Sequence, residues 1–249
     1  MKEELTASII IIGNEILSGR VQDENVEFLA KKLGENGIAL KEVRIISDVE
    51  KHIVDAVNSL RQKYTYIFTT GGIGPTHDDI TSKSIAKAFN VLYIKNQEAF
   101  RQIKEYYDKQ NVELNEAREK MAYMPQGAEL IENDLTKAPG FMIENVFVMA
   151  RIPEIMQNMF KYIEKYLKKE KMIESKNMKI IVGESLVANY LEFIQNKYLD
   201  IDIGSYPFRL NSGKHATDVV FRGNDIIILN KAYEELREIF LSKNYDFEK

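Results

Sequence analysis

The sequence predicts an α/β fold built on a mostly parallel sheet, followed by a small α+β domain. Short apolar runs that suit buried strands alternate with longer segments whose apolar residues recur at helical spacing. Three such strand–helix units follow one another before residue 90, and units of this kind build a right-handed parallel sheet. After Lys168 the composition turns charged (KKEKMIESKN), which indicates a boundary between two domains, residues 1–170 and 176–249.

The first two units span residues 8 to 63. Ser8 to Gly13 (SIIIIG) is a continuous apolar run, typical of a strand that is covered on both faces. Asp23 to Gly37 has the helical pattern and ends at an Asn-Gly stop signal. Leu40 to Ile46 is the second predicted strand, and Val49 to Lys63 is the second helix. Asp48 stands just before that helix, where an aspartate is expected to act as the N-cap.

The third unit contains the most informative segment. Tyr64 to Thr70 (YTYIFTT) is short and rich in β-branched and aromatic residues, which predicts a buried strand. Ser82 to Phe89 has apolar residues at helical spacing. Between them lies GGIGPTHDDI, in which Gly71, Gly72 and Gly74 precede two carboxylates. The sequence therefore predicts a glycine turn between a strand end and a helix start.

This turn has the features of an anion-binding loop. Glycines adopt positive φ and expose their N–H groups, and a helix start adds unpaired donors and about half a positive charge, so a phosphate suits this position. Asp78 and Asp79 would repel a phosphate directly, but beside one they suit a Mg²⁺-type cation or the activation of an attacking water. Thr76 belongs to the same predicted phosphate-binding loop. The alternative is that Asp79 or Thr81 only caps the helix.

Polar residues also follow the first two strands. Gly13, Asn14, Glu15 and Ser18 come after the first strand, and Asp48 follows the second. Ligands of open α/β sheets bind at the carboxyl ends of the strands. We therefore expect these residues to contribute to the same phosphate or nucleotide site.

Two further segments of the first domain show helical spacing. Tyr106-Tyr107, Met121 and Met124 are spaced as residues that pack a helix, and we expect them in the core or at an interface. Lys161 to Lys171 interleaves lysines with apolar residues, which suits a helix with a solvated face. His77 is expected to be an exposed loop residue.

The second domain is predicted as a small unit of βαββα order. Its elements are, in turn, Met178 to Val182, Glu184 to Lys197, Asp200 to Tyr206, His215 to Arg222 and Lys231 to Leu241. Asp225 to Asn230 is ambiguous between a strand and the start of a helix. No residue of this domain suggests a particular chemistry.

Composition excludes several classes of function. A net charge of −4 argues against a general nucleic-acid binder, which needs a basic stripe to release counterions. The chain has no cysteine, so disulfides, thiolate metal sites and cysteine nucleophiles are excluded. The apolar run Ala7 to Ile12 is about a third of a membrane span. We therefore expect a cytoplasmic protein without a membrane partner.

Four motifs in this order, IIGNEILSG, ISDVEKHI, TTGGIGPTHDDIT and KAPGF, resemble the molybdopterin-binding (MoaB/Mog) domain family. The resemblance is strongest to the version found at the N-terminus of CinA proteins and of some eukaryotic FAD synthases, and it spans about residues 7 to 168. The family positions that match are Gly71, Gly72, Gly74 and Asp79, with support from Glu15, Asp48, Ala138, Pro139 and Gly140.

The resemblance implies a three-layer α/β fold whose pocket holds a pterin phosphate, a nucleotide, or the pyrophosphate joining two such groups. CinA-like members are associated with hydrolysis of the pyrophosphate in ADP-ribose or FAD. On this basis we expect a divalent-metal-dependent pyrophosphatase, with Asp78 and Asp79 holding Mg²⁺ or a similar cation, and a homo-oligomer. The alternatives are a non-catalytic module that binds molybdopterin or a nucleotide, and the adenylylation of molybdopterin that Mog-type members perform.

One segment departs from the family pattern. The family usually has a Leu-Pro-Gly-x-Pro turn, and here the matching residues are Met149-Ala150-Arg151-Ile152-Pro153. A residue with a Cβ lacks the freedom of glycine, so we expect a reshaped loop or an altered site. Arg151 either contributes a charge-assisted bond to a phosphate or remains solvated. Asn14 stands where the family often has an aspartate, which removes a possible metal ligand.

Overall fold

A six-stranded sheet lies at the centre of the first part of the chain. The computed structural model describes residues 4–248. The chain divides into two units, Met1–Glu170 and Lys171–Lys249. The elements of the first unit are β1 (Thr6–Ile12), α1 (Asn14–Leu17), α2 (Asn25–Glu35), β2 (Ala39–Ile46), α3 (Glu50–Arg61), β3 (Tyr66–Thr70), α4 (Thr81–Ala88), β4 (Tyr93–Lys95), α5 (Gln97–Lys109), α6 (Glu116–Glu119), β5 (Tyr123–Pro125), β6 (Glu129–Ile131), β7 (Gly140–Ile143), β8 (Val146–Met149) and α7 (Pro153–Ile163).

The sheet has the strand order β2-β1-β3-β8-β7-β6. β1 runs parallel to both β2 and β3, and β3 runs parallel to β8. β7 is antiparallel to β8 and to β6, so the mostly parallel sheet ends in an antiparallel edge. β4 and β5 form a separate two-stranded antiparallel sheet. The predicted mostly parallel α/β fold is confirmed, whereas the short strands β4 to β8 had no counterpart in the sequence-based prediction.

The sheet is covered on both faces, which explains the unbroken apolar run of β1. Ile10 and Ile12 belong to one hydrophobic cluster, and Ile9 and Ile11 belong to the other, because successive strand residues point to opposite faces. The first cluster includes buried residues of α3, α4 and α5. The second includes buried residues of α2 and α7. The result is the expected three-layer arrangement of helices, sheet and helices.

The end of the first unit differs from the prediction. α7 ends at Ile163 and is followed by a 3-10 turn at Glu164–Tyr166. The predicted helix from Lys161 to Lys171 is therefore helical only up to Tyr166 and is wrong beyond it. Met124 lies on β5 and not on a helix, although it is buried in the core as expected. α5 contains Tyr106 and Tyr107, in agreement with the predicted helical spacing.

The second unit contains β9 (Glu174–Ile180), α8 (Ala188–Lys197), β10 (Ile201–Arg209), β11 (His215–Gly223) and α9 (Ile226–Ser242). Its antiparallel sheet has the order β10-β11-β9, and this confirms the predicted βαββα order. The ambiguous segment Asp225 to Asn230 begins α9, where the Asp225 carboxylate accepts from the amides of Ile227 and Ile228. A separate hydrophobic cluster forms its core. None of the helices within residues 4–248 is long and apolar enough to cross a membrane.

Candidate functional site

The segment between β3 and α4, residues 71–80, is named the glycine loop. Gly71 has φ 106° and Gly72 has φ 68°, a region that residues with a side chain rarely adopt. A Cβ at Gly71 would lie 2.2 Å from the carbonyl oxygen of Ile12, and one at Gly72 would lie 2.1 Å from Thr81 Oγ1. Both positions therefore require glycine, because the loop runs directly against the end of β1 and the start of α4.

Two backbone hydrogen bonds fix this loop at the end of the sheet. The Gly71 amide donates to the Met149 carbonyl at 3.1 Å, and the Thr81 amide donates to the Gly72 carbonyl at 2.9 Å. Among the described residues, the amides of Gly72, Ile73 and Gly74 have no protein acceptor. These free amides lie between a strand end and a helix start, as an anion site requires.

Asp79 closes the loop on itself. Its Oδ2 accepts from the Thr76 amide at 2.8 Å and also from the Thr76 hydroxyl. The N-cap of α4 is Ile80, and no side chain caps the first turn, so the alternative in which Asp79 or Thr81 caps this helix is wrong. A Cβ at Gly74 would lie 2.7 Å from Asp79 Oδ2, which explains the third glycine. The other carboxylate oxygen, Asp79 Oδ1, takes no part in the hydrogen bonds from Thr76.

Asp78 is more open, with 61% of its side chain exposed. The Thr76 side chain, the Asp78 backbone amide and the charges of His77 and Arg151 together hold the pKa of this carboxyl below its ordinary value. Asp78 is therefore ionised at neutral pH. The His77 side chain is 98% exposed, in agreement with its predicted place on an exposed loop.

Asp48 joins two of the loops that follow strands. The N-cap of α3 is Val49 and no side chain caps this helix, so the prediction that Asp48 caps it is wrong. Asp48 Oδ2 instead accepts from the Asn14 amide at 2.8 Å. The Gly13 amide donates to the Ile46 carbonyl at 3.1 Å, which holds the ends of β1 and β2 together. Asp48 thus organises the loops instead of starting a helix.

Arg151 forms an ion pair with Glu15, between Nη1 and Oε1. The Arg151 side chain is 43% exposed, so it is partly buried. The ion pair holds it in place, and it does not extend freely into solvent. Ser18 donates its hydroxyl to the Glu15 carbonyl at 3.1 Å and supports the short helix α1. No residue from Met149 to Pro153 has a positive φ, so the loop is shaped without the glycine that the family pattern has here.

A cleft of about 380 Å³ lies over the glycine loop, and we name it the glycine-loop cleft. Its walls include seven of the predicted site residues: Asp48, Gly72, Gly74, Thr76, Asp78, Asp79 and Arg151. The other predicted residues, Gly13, Asn14, Glu15, Ser18 and Gly71, do not line it. Asn14 and Glu15 contact residues that do, Asp48 and Arg151 respectively. Ala138 and Pro139 of the KAPGF motif also line it.

Sequence reasoning missed part of this wall. Tyr107 and Met121 pack against the core as expected. Both also line the cleft, as do Asn133 and Thr136, and this was not predicted. Asn133 is 1% exposed, and its amide donates to the Thr136 hydroxyl at 2.6 Å and to the Ala138 carbonyl at 2.9 Å. The polar run ENDLT before KAPGF was the available signal for this loop. Nothing in the spacing of Tyr107 or Met121 distinguished them from core residues.

The carboxylates of the cleft suit a hard divalent cation only when a bound ligand supplies further oxygen atoms. Within the described part of the chain, no group of three or more His, Cys, Asp or Glu side chains converges on one point. Mg²⁺ usually binds through one or two carboxylates together with substrate phosphates and water. Asp78 and Asp79 both line the cleft together with Gly72, Ile73 and Gly74, and Asp79 Oδ1 takes no part in the bonds to Thr76. The residues present therefore fit Mg²⁺ that is shared with a phosphate ligand.

Comparison with known proteins agrees with this architecture. A model of a probable molybdopterin binding domain matches residues 8–169, and a model of the FAD synthase middle domain matches residues 150–246. A protein of Sulfurisphaera tokodaii is 34% identical over 248 residues, with 94% of each chain covered. A protein of Archaeoglobus fulgidus is 33% identical over 236 residues, covering 94% of this chain and 98% of the relative.

Among solved structures, the protein CinA from Thermoplasma acidophilum is similar to this chain. The two are 29% identical with a TM-score of 0.60, and the match covers 65% of this chain and 96% of that protein. The molybdopterin-binding domain match, residues 8–169, lies within the first unit, which contains the glycine-loop cleft. The chain therefore belongs to the molybdopterin-binding domain family in its CinA-like form, and it continues into an FAD synthase middle domain.

Proposed function

We propose that the protein is a divalent-metal-dependent pyrophosphatase that cleaves a dinucleotide such as ADP-ribose or FAD. One observation carries the proposal: the glycine-loop cleft places the free amides of Gly72 to Gly74 beside the carboxylates of Asp78 and Asp79. Amides suit a phosphate and carboxylates suit a cation, so both halves of a metal–phosphate site lie on one loop.

The chain's own residues bind and orient the pyrophosphate. One phosphate lies against the amides of Gly72 to Gly74, which have no protein acceptor among the described residues. Arg151 lines the same cleft and brings a positive charge to it. Because Glu15 already holds the guanidinium, Arg151 is kept in place but its charge is partly neutralised. Its contribution to phosphate binding is therefore smaller than that of a free arginine.

Asp78 and Asp79 would hold the cation. When bound, it supplies charge neutralisation at the phosphate oxygens and lowers the pKa of bound water. The lowered pKa of Asp78 keeps this carboxylate ionised, so it can ligate the cation and accept a hydrogen bond from an attacking water. The bonds from Thr76 hold Asp79 in one position, so the loop does not have to reorganise when a ligand binds.

The test is release of AMP from ADP-ribose or FAD, followed by chromatography, with Mg²⁺ or with EDTA. We expect release only with the metal. Asp79→Asn should remove most of the activity and leave the protein folded, since an asparagine oxygen still accepts from the Thr76 amide. Asp55→Asn, an exposed aspartate on α3, is the matched control and should retain full activity.

A different result would assign Asp79 a structural role. If Asp79→Asn melts several degrees lower and its activity falls only in proportion to the folded fraction, the carboxylate serves the loop alone. Unchanged activity in Asp79→Asn and in Asp78→Asn would overturn the proposed metal site.

A second candidate is a binding module without catalysis. Two contacts favour it: Asp79 Oδ2 already accepts from Thr76, and Arg151 is already paired with Glu15. These contacts leave few polar groups of the site free for catalysis. This candidate predicts nucleotide or molybdopterin binding in calorimetry without AMP release under any metal. The remaining alternative, adenylylation of molybdopterin, consumes ATP. AMP release from FAD in the absence of ATP would therefore indicate the pyrophosphatase and not the adenylylation.

A further inference from the structure

A second cavity adjoins the glycine-loop cleft and has no role in the site described above. We name it the tyrosine cavity, and its volume is about 560 Å³, within the roughly 300–1,000 Å³ of small-molecule sites. Its lining residues are Asp79, Ile80, Lys83, Tyr93, Glu116, Glu119, Lys120 and Tyr123. Asp79 lines both cavities, so they meet at the second carboxylate of the glycine loop.

Two tyrosines form an aromatic wall in this cavity. In the antiparallel pairing of β4 and β5, Tyr93 lies opposite Pro125 and Tyr123 lies opposite Lys95. Residues two apart on a strand share a face, so both rings project from the same face of this small sheet. Their centroids are 5.6 Å apart with planes inclined at 43°. This spacing leaves no room for a third ring between them, so a flat ligand would stack on their outer side.

The tyrosine hydroxyls are available to a ligand. Burial raises the pKa of Tyr93 to about 12, so its hydroxyl stays neutral and both donates and accepts. Among residues 4–248, no hydrogen bond engages the hydroxyl of Tyr93 or of Tyr123. An aromatic wall with free hydroxyls suits a planar ring with polar edges, such as a nucleobase or a flavin.

Charges at the boundary with the glycine loop are also suitable. The Lys120 ammonium donates to the Thr76 carbonyl, so this lysine is fixed where the cavity adjoins the loop. Lys83 is on the first turn of α4, which starts directly after the loop. Glu119 is paired with Lys95, which reduces the negative charge of the cavity. Lys120 therefore lies towards the proposed phosphate position. The two rings share the rest of the wall with Ile80, Glu116 and Glu119.

We propose that the tyrosine cavity holds the second ring system of a dinucleotide whose pyrophosphate lies at the glycine loop. This inference rests on the proposed function and narrows the substrate to a dinucleotide with a planar ring at each end. FAD has two such rings. ADP-ribose has one ring and a sugar at its other end, so it would leave the tyrosine wall without a stacking partner.

The experiment compares three probes, FAD, ADP-ribose and AMP, on the full chain by titration calorimetry with Mg²⁺ in the cold. Chromatography after each titration checks for products. Tyr93→Leu should weaken FAD about fivefold or more, since stacking of one base on an aromatic side chain is worth at least about 1 kcal/mol. Its affinities for ADP-ribose and AMP should stay within about twofold of the parent, because neither ligand places a second ring in the cavity.

Further variants make the test independent of one substitution. Tyr123→Leu should repeat the selective loss for FAD, and Tyr93→Phe should retain most of the affinity because it keeps the ring. Tyr166→Leu is the matched control, a tyrosine of the same unit outside both cavities, and it should bind all three probes like the parent.

The outcomes separate this inference from the proposed function. Equal FAD affinity in the parent and both leucine variants overturns the tyrosine cavity and leaves the pyrophosphatase proposal standing. An equal loss for FAD and ADP-ribose also overturns it, since the effect is then not due to the second ring. A parent protein that binds none of the three probes overturns the proposed function, and this inference with it.

Discussion

Gly72 lies directly against Thr81 at the candidate site. Gly72 has a positive φ, and a Cβ there would overlap the hydroxyl of the fully buried Thr81. Gly19 has nearly the same φ, +70°, but a Cβ there would meet no atom within 4 Å. Comparing substitutions at these two glycines therefore distinguishes the free-energy cost of a positive φ from the free-energy cost of steric overlap.

We expect Gly72→Ala to destabilise the protein more than Gly19→Ala does. The conformational cost is about 1–2 kcal/mol for each, and only Gly72→Ala also has to displace Thr81. Chemical denaturation measures both. Thr81→Ala should reduce the additional cost of Gly72→Ala, because it removes the atom that the new methyl group would overlap. Equal losses for the two single variants would show that the loop adjusts without strain.

The sequence was sufficient to find the glycine loop but not the full wall around it. Three glycines and two aspartates follow one another in the chain, so local chemistry was visible. Tyr107, Met121 and Asn133 reach the cleft from three separate segments, and only the tertiary fold brings them together. The role of Asp48 was predicted wrongly because the cap rule considers one helix, whereas its partner Asn14 is 34 residues away.

At the scale of elements, Glu42 links β2 to the segment that enters β3. Its carboxylate accepts from the Tyr64 hydroxyl at 2.7 Å, from Arg44 at 2.7 Å and from Lys63 at 3.1 Å. These partners, Tyr64 first, lower the pKa of Glu42 to about 2. A carboxyl whose pKa is lower in the folded state stabilises the fold above its unfolded pKa and loses this effect as the pH falls towards its folded pKa.

We expect Glu42→Gln to melt at a lower temperature than the parent at pH 7, by about 2–4 °C for a loss of about 1 kcal/mol. The difference should be full well above pH 4.5 and should be lost as the pH falls through about 2, where Glu42 of the parent itself takes up a proton. Thermal unfolding followed by circular dichroism across this pH range measures the difference in melting temperature between Glu42→Gln and the parent. Glu129→Gln, an exposed glutamate on β6, is the control, and a pH-independent difference for Glu42→Gln would contradict the linkage.

Elements with a continuous pattern were predicted well, and short ones were not. β1, β2 and β3 with α2, α3 and α4 carry enough apolar residues to define their period. β4 to β8 have three or four residues each, too few for a period to be recognised. The antiparallel edge of the sheet depends on pairing between such short strands, so local pattern gave no indication of it.

At the scale of the whole molecule, each unit has its own hydrophobic core. Two clusters consist of residues up to Leu167, and the third consists of residues from Met178 onwards. Every residue that lines the two cavities lies before Glu170. The first unit ends with specific contacts, in which the Lys168 amide donates to the Tyr66 hydroxyl at 2.9 Å and Leu167 is buried.

A fragment of residues 1–171 should therefore fold and bind FAD within about twofold of the full chain, because it keeps these clusters and both cavities. A fragment of residues 1–166 is the matched comparison. It loses the burial of Leu167 and the bond to Tyr66, and it should melt several degrees lower. Loss of FAD binding in the longer fragment, despite a cooperative melt, would show that the second unit contributes to the ligand site.

The loop from Met149 to Pro153 has a consequence for how this site can change. None of its residues has a positive φ, and the Asn25 side chain holds the Arg151 carbonyl at 2.7 Å, so the backbone is fixed through main-chain atoms. Position 151 therefore does not need the backbone freedom of glycine. Gly71 and Gly72, which have positive φ, do need it. Single substitutions at position 151 can therefore change the charge of the cleft, whereas a side chain at Gly71 or Gly72 would overlap Ile12 or Thr81.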